Sequence, residues 1–525
     1  MQEKSVHPDE NSAIPRLLNA GNLASSGLYL IAAGVLLAAL IAFYAYVYSP
    51  HQDLAGTALS AQLAFALGDR FEDYSLYFPP AEHAWFGLGV QLSNLTGLRL
   101  DLSVIALTFI AVLFSTTLAY RIRKQTIGAT PWFLVVSIAA LVILPILYKN
   151  MFGLREHMVA LGLWPYLVLR LSDPDGDKIG WKMRALVGIW LGATLTLKYL
   201  YAIVVLLIEL GDAALKRSPM PLFRIENLIA GLIVALYIFA WLILDPTQRE
   251  AMGAVVSAID ANLASPTQSL KVAAIHGALA LFYLALAYFY KLPVRTSVIG
   301  LALVAGAIIA AWIQSRWYTH HLFPITLAYM VWLWMIHREV KLIWIVALCV
   351  LFVRPVAGEF RSTAPYQISV NELIEAMERS GQSVEGKRVG LLAMHPSPFN
   401  QYLASHGGVR WNTSMNNSYV ASELLPLDTP ANEGLVAGAV TIADPGRALL
   451  HDSMLVLWED APPDVLILDQ STSWPLRHVE VEWERVFAED ARFQAILSQY
   501  RPVFEHEGEW VEFRYFVRKD AAPTS

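Results

Sequence analysis

The residues best placed to do chemistry are ionisable side chains at the ends of long apolar runs. They fall in four groups: Asp53; Arg155, Glu156 and His157; Lys198; and Arg316, His320 and His321. Ionisable groups are costly inside a bilayer and usually face a cavity or a partner there. We therefore take these positions as the candidates for catalysis and binding.

Asp53 follows the first apolar run and can act as a general base or a metal ligand. It can equally be an ordinary helix N-cap. Glu156 opens another run, where an acidic side chain also favours the positive end of a helix dipole. Its neighbours Arg155 and His157 have no such explanation. Together the three predict a phosphate site, or a metal site formed by Glu156 and His157.

Lys198 separates two short apolar runs, where it can bind a lipid phosphate or extend to the headgroups. Arg316, with His320 and His321, favours anion binding over a plain aromatic belt at the membrane surface. The adjacent histidines are a weak zinc signal, because neighbouring residues on a helix do not share a face.

The composition excludes a large soluble enzyme and a disordered chain. Of 525 residues, 56% are apolar and 16% are charged, against about 25% charged in soluble domains. The net charge of −6 divides into +5 over residues 1–357 and −11 over residues 358–525. This distribution does not favour nucleic-acid binding, which needs a clustered basic face. The composition predicts a polytopic α-helical membrane protein.

Eleven apolar runs are candidates for membrane helices of about 20 residues. They are 24–48, 102–120, 131–148, 157–171, 185–197, 199–214, 226–244, 272–290, 296–313, 322–337 and 342–357. The runs on either side of Lys198 can instead form one long tilted helix. We prefer two short helices, because ten spans would break the alternation of charge between loops.

Lys and Arg concentrate in cytoplasmic loops. With a cytoplasmic N-terminus (residues 1–23), the inner segments hold 16 of these residues and the outer loops hold 8. Eleven spans then place the C-terminus, and all four candidate groups, on the extracytoplasmic side. The first outer loop, residues 50–101, contains two stretches typical of interfacial helices, 54–67 and 80–96.

Residues 358–525 predict a small extracytoplasmic α/β domain that follows the transmembrane domain of residues 24–357. NELIEAMERSGQ is an amphipathic helix, RVGLLAM and DVLILD are strand-like, and VEFRYFVRK alternates like an exposed strand. HPSPFNQY is rich in the polar and aromatic groups that sugar sites use, as are ordinary loops.

The order of these features resembles the GT-C superfamily of integral-membrane glycosyltransferases. The resemblance lies in Asp53 after the first span, the stretch YFPPAEHAWFGLGVQLSNLTG in a long first loop, Glu156 at the start of the fourth span, and the lysine turn in GATLTLKYLYAIVVLL. FGLREHMVALGLWPYLVL and RWYTHHLFPITLAYMVWLW look like stretches of uncharacterised bacterial members. The likeness covers nearly all of residues 24–357.

The resemblance implies a glycosyltransferase of the bacterial inner membrane. It would move a sugar from a polyprenyl-phosphate donor to a lipid, glycan or protein acceptor on the extracytoplasmic face. By position, Asp53 would be the catalytic base, and Glu156, with His157, would hold the donor phosphate or a divalent cation such as Mg²⁺ or Mn²⁺. Lys198, Arg155 and Arg316 would pair with lipid phosphate. Asp53 lacks the acidic neighbour that many members have, so a strong metal requirement is not implied.

Two other functions fit a chain of this kind. A flippase or transporter would carry inverted repeats and broken helices near the midplane, and the sequence has no matching halves. An O-antigen ligase or polymerase would carry a large late outer loop with Arg and His, whereas the loop around Arg316 is short.

Overall fold

The structure is a computed structural model of the chain. It describes residues 20–68, 80–148, 150–243, 266–314, 319–336, 364–393, 398–413, 435–436, 454–471, 479–480 and 482–520. The chain divides into two compact units, with the boundary between Tyr48 and Ser49. The first contributes one described helix, α1, and the second contains every other element given below.

Helices make up most of the described chain. Their bounds are α1 Ala20–Tyr46, α2 Gln52–Leu67, α3 Pro80–Thr96, α4 Leu100–Thr126, α5 Pro131–Leu147, α6 Arg155–Ser172, α7 Trp181–Leu197, α8 Ala202–Lys216, α9 Ile225–Ile238, α10 Pro266–Phe289, α11 Val294–Gln314 and α12 Thr319–Ile336. Short 3₁₀ turns precede α8 and α9, and a π-helical turn, Phe239–Ile243, extends α9.

Four helical segments in the described ranges are long and apolar enough to cross a membrane. They are Leu100–Thr126, Ile225–Ile243, Leu270–Phe289 and Val294–Gln314. This is compatible with a multi-pass membrane protein. Helices also cover most of the other predicted runs up to residue 336, whereas the predicted span 342–357 lies outside the described residues. The count of eleven spans therefore stays a prediction.

The two-helix interpretation around Lys198 is confirmed. Helix α7 ends at Leu197, and Lys198 takes an extended backbone (φ −154°) before the turn that leads into α8.

Small residues bring neighbouring helices close together. A Cβ on Gly188 of α7 would lie 2.6 Å from the carbonyl oxygen of Glu226, so only glycine allows α9 to pack this tightly.

A buried ion network joins the ends of α6, α7, α8, α9 and α11. Arg170 of α6 is fully buried between Glu209 and Glu226. The other pairs are Arg184 with Asp173 and Glu226, Arg224 with Glu209 and Asp212, and Arg295 with Asp212. These four arginines are among the 16 inner Lys and Arg that predict the orientation. The bias counts Lys and Arg and is not a net-charge rule, so their ion pairing leaves it unchanged.

The C-terminal part contains a mixed sheet, and the sequence predicted strands of an α/β domain there. Its strands are β1 Arg388–Leu392, β2 Arg410–Trp411, β4 Val465–Asp469, β6 Tyr500–Glu507 and β7 Glu512–Arg518. The order is β2-β1-β4-β7-β6, parallel across β2, β1 and β4, and antiparallel beyond. A separate short pair joins β3, Leu435–Val436, to β5, Val479–Glu480.

Short helices accompany the sheet: α13 Ala364–Ser380, α14 Phe399–Ala404, α15 Val456–Asp460, α16 Trp483–Val486 and α17 Ala491–Leu497. The expectation that β7 is an exposed strand is wrong. It lies between β4 and β6, and Phe513, Tyr515 and Phe516 are buried. The alternation of apolar and polar residues along β7 reflects two faces that are both covered but differ in polarity. The predicted boundary at residues 357 and 358 lies outside the described residues.

Candidate functional site

Glu156 lies in the first turn of α6, with its side chain almost completely buried. The ammonium group of Lys198 donates a hydrogen bond to its Oε1 and forms an ion pair with it. The break between α7 and α8 brings the lysine there, because its extended backbone carries the side chain out of the helical path. A buried carboxylate and a buried ammonium group thus stabilise each other where the bilayer would exclude either alone.

Arg155 pairs with a partner that the sequence did not reveal. Its Nη1 lies 3.2 Å from Oε2 of Glu82 in α3. Glu82 lies in the stretch 80–96, predicted as an interfacial helix, and its side chain is buried. Burial raises the pKa of its carboxyl, and the guanidinium of Arg155 offsets part of that rise. The pair fixes α3 against the start of α6.

His320 and His321 meet Glu156 although they are adjacent in the chain. Both lie in the first turn of α12. One imidazole nitrogen from each and a carboxylate oxygen of Glu156 lie within 4.8 Å of one another. Among the described residues, this is the group of three His, Cys, Asp or Glu side chains close enough to share a metal ion. Residues about 100° apart on a helix converge when the third group lies between them.

His157 makes hydrogen bonds to the backbone and is not part of a metal site, in contrast to the prediction. Its Nδ1 accepts a hydrogen bond from the Gly153 amide at 3.0 Å, and its Nε2 donates to the Leu141 carbonyl at 2.8 Å. The ring is fully buried against Phe152. Both nitrogens therefore tie the turn before α6 to α5, and His157 does not join the group around Glu156.

Asp53 lies in the first turn of α2, but it is not the N-cap. His51 occupies that position, and its Nδ1 accepts a hydrogen bond from the Asp53 amide at 3.1 Å. The Asp53 carboxylate is 46% exposed and lies within electrostatic range of Glu82 and His320. The side chain is therefore near the buried cluster and open to a substrate. Arg316 lies outside the described residues.

An apolar cavity of about 200 Å³ extends from Glu156 between α5, α6, α8, α11 and α12. Its walls are leucines, valines, alanines and aromatic rings, among them Phe133, Trp164 and Trp334. Of the described residues that line it, Glu156 is the charged one. A ligand with an apolar tail and a charged head fits such a site, since the tail lies in the cavity and the head at the cluster.

The C-terminal part holds the segment that carries Asp53. Gln401 of α14 donates to the Pro50 carbonyl at 2.5 Å, and Gln367 of α13 accepts from the Ser49 amide at 2.9 Å. The Trp411 amide donates to Gln62 of α2 at 3.1 Å. Gln401 belongs to HPSPFNQY, a stretch noted for its polar residues. No sequence signal links it to a turn some 350 positions earlier.

Comparisons with family models, with curated proteins and with solved structures give no match. The resemblance to the GT-C superfamily therefore rests on the quoted residues and their order alone. What the site can do rests on its own groups: a half-exposed carboxylate, the nearly buried ammonium group of Lys198, the partly exposed guanidinium of Arg155, a pair of imidazoles and an apolar cavity.

Proposed function

We propose that this protein is a membrane glycosyltransferase that uses a polyprenyl-phosphate-linked sugar as donor. The observation that carries the proposal is the apolar cavity that Glu156 lines, with Lys198 paired to Glu156 and the positive charge of Arg155 nearby. A polyprenyl phosphate has the matching form, a long apolar chain with an anionic head. The acceptor would be a lipid, a glycan or a protein.

The cations at the cavity supply the electrostatics that such a transfer needs. The leaving phosphate gains negative charge in the transition state, and fixed cations in a dry site stabilise that charge. Lys198 is paired with Glu156. On binding, the donor phosphate would share this ammonium group with the carboxylate, and Arg155 would add a second positive charge.

Asp53 is the group best placed to serve as general base. A base must reach the acceptor hydroxyl, and the Asp53 carboxylate is the exposed acid near the buried cluster. The hydrogen bonds at Ser49 and Pro50 restrain the turn before it. The acceptor would then approach from the side of the C-terminal part.

The finer topology belongs to the same proposal. Eleven spans, a cytoplasmic N-terminus and an extracytoplasmic C-terminal domain in the bacterial inner membrane place the whole site on the outer face. The inner segments hold 16 Lys and Arg and the outer loops hold 8, and pairing with acidic side chains does not enter that count. The direction of the charge bias is therefore unchanged.

The test compares cells with and without the gene by mass spectrometry of polyprenyl-phosphate sugars and surface glycans. We expect the deleted cells to lack one sugar and to accumulate its lipid-linked donor. Wild type should restore the sugar, whereas Asp53→Asn at normal protein levels should not. Glu156→Gln should not restore it either, and because this variant leaves Lys198 unpaired its protein level is measured alongside. Asp177→Asn and Glu489→Gln, two exposed acids away from the cluster, serve as matched controls.

The alternatives predict other results in the same experiment. If the protein is a flippase, deletion leaves the sugar linkages intact and traps a lipid-linked glycan on the cytoplasmic side. If it is a ligase or polymerase, deletion leaves complete glycan units on the lipid carrier. Either result, or full complementation by both Asp53→Asn and Glu156→Gln, would overturn the proposal.

A further inference from the structure

We propose that Glu156, His320 and His321 form a zinc site. The resemblance to GT-C enzymes implies a hard cation such as Mg²⁺ or Mn²⁺, and the donor set does not fit one. Magnesium binds through oxygen atoms and retains several waters. Here the three groups that converge offer two imidazole nitrogens and a carboxylate oxygen.

Two histidines and one glutamate are a common ligand set of catalytic zinc. Imidazole also selects zinc and other late transition metals over magnesium and calcium. Ligand atoms on one tetrahedral zinc ion lie about 3.3 Å apart. The three atoms here lie within 4.8 Å of one another, so closing the site needs side-chain movements of about 1.5 Å, well within the reach of rotamer changes.

The ion pair between Glu156 and Lys198 is compatible with a bound ion. Lys198 binds Oε1, and an ionised carboxylate has a second oxygen with its own lone pairs. Both supporting turns are regular helix, the first turn of α6 and the first turn of α12. The ligands are therefore held on rigid elements rather than on loops.

Three protein ligands leave the fourth zinc position open, as in catalytic rather than structural sites. The site adjoins the apolar cavity and two further cations. An ion there would take a phosphate oxygen and neutralise charge on the leaving group. This role in transfer rests on the proposed function, whereas metal binding itself does not.

The first test measures metal content in the full-length chain. The protein is purified in detergent with an affinity tag that contains no histidine, equilibrated with a mixture of Mg²⁺, Mn²⁺ and Zn²⁺, and analysed by plasma mass spectrometry. We expect about one zinc per chain and no retained magnesium. Less than a tenth of a zinc per chain, or bound magnesium or manganese in its place, would overturn the proposal.

Variants locate the ion. His320→Gln and His321→Gln should each weaken zinc binding by at least the roughly 10–100-fold seen when even an outer-shell partner is lost. His406→Gln in the C-terminal part is the matched control and should bind as wild type. Co²⁺ in place of zinc gives a visible absorption band that reports its ligands in any variant that folds. Wild-type affinity and an unchanged cobalt spectrum in both His320 and His321 variants would refute the assignment.

The two proposals can fail separately. The protein could bind zinc through His320 and His321 and yet have no effect on cell glycans. That result would support the metal site and refute the glycosyltransferase function. Full transfer by protein stripped of zinc supports the glycosyltransferase and overturns the part of the ion in it.

Discussion

The ion pair between Glu156 and Lys198 makes a quantitative prediction about stability. Both side chains are nearly buried, 2% and 10% exposed. Removal of one partner from a buried pair typically costs about 3–5 kcal/mol, because the other charge is left in a medium of low polarity. Replacement of both by uncharged groups costs much less. We therefore expect the single variants to be more damaging than the double variant.

The structure also ranks the two single variants. Without Lys198, the Glu156 carboxylate still has the positive charge of Arg155 nearby, so Lys198→Met should cost about 3 kcal/mol. Without Glu156, the Lys198 ammonium group remains buried beside the like charge of Arg155, so Glu156→Gln should cost about 5 kcal/mol. The double variant should lose no more than about 2 kcal/mol.

Reversible unfolding of the purified chain in mixed micelles, followed by tryptophan fluorescence, measures these free energies. The double-mutant cycle gives a coupling energy of several kcal/mol if the pair is buried as described. The exposed pair Arg492 and Glu459 is the matched control, and its coupling should stay below about 1 kcal/mol. Single variants that each lose less than about 1 kcal/mol, or additive losses, would refute the reasoning.

Three further expectations concern other parts of the chain. Arg170→Met should lower the unfolding free energy by about 3 kcal/mol or more, measured in the same micelle assay, and more than Arg295→Met, because Arg170 is fully buried and Arg295 is about one quarter exposed. Burial raises the pKa of the Asp469 carboxyl to about 7 despite its hydrogen bonds from Ser471. A raised folded-state pKa means that stability falls as pH rises from about 4 to 7, so hydrogen exchange in β4 should accelerate over that range relative to Asp469→Asn. Gln401→Ala should lower transfer while total protein and metal content stay normal, because it releases the Pro50 carbonyl; wild-type turnover in this variant would contradict the role of the contact.

The elements of the fold were largely predictable because apolar runs and strand-like alternation are local signals. The break at Lys198 needed a wider signal, because the preference for two short helices over one came from the alternation of charge between loops. The burial and ion pairing of Arg170 were not predictable from the sequence. Loop lysines and buried arginines look alike in a sequence, and only the packing of α8 and α9 reveals that Glu209 and Glu226 surround it.

The sequence indicated which residues form the site, but it did not indicate which of them contact one another. Glu156 and Lys198 stand out because each is a charge against apolar neighbours. His157 stands out equally, yet its two nitrogens serve backbone groups, and no sequence feature separates it from His320. Glu82 was not singled out, because its stretch was predicted as an interfacial helix, where a charged side chain can face water. Pairing across distant elements depends on tertiary packing, which a single sequence does not record.

The buried ion network imposes an order on how the chain can be made. Arg170 leaves the ribosome two helices before Glu209 and three before Glu226. During that interval its guanidinium has neither of these partners, and an unpaired charge in a medium of low polarity is costly. Helix α6 can therefore reach its buried packing only after α9 has been synthesised. A chain interrupted after α7 would hold an unpaired arginine at the end of α6, and we expect quality-control proteases to remove it faster than the full-length chain.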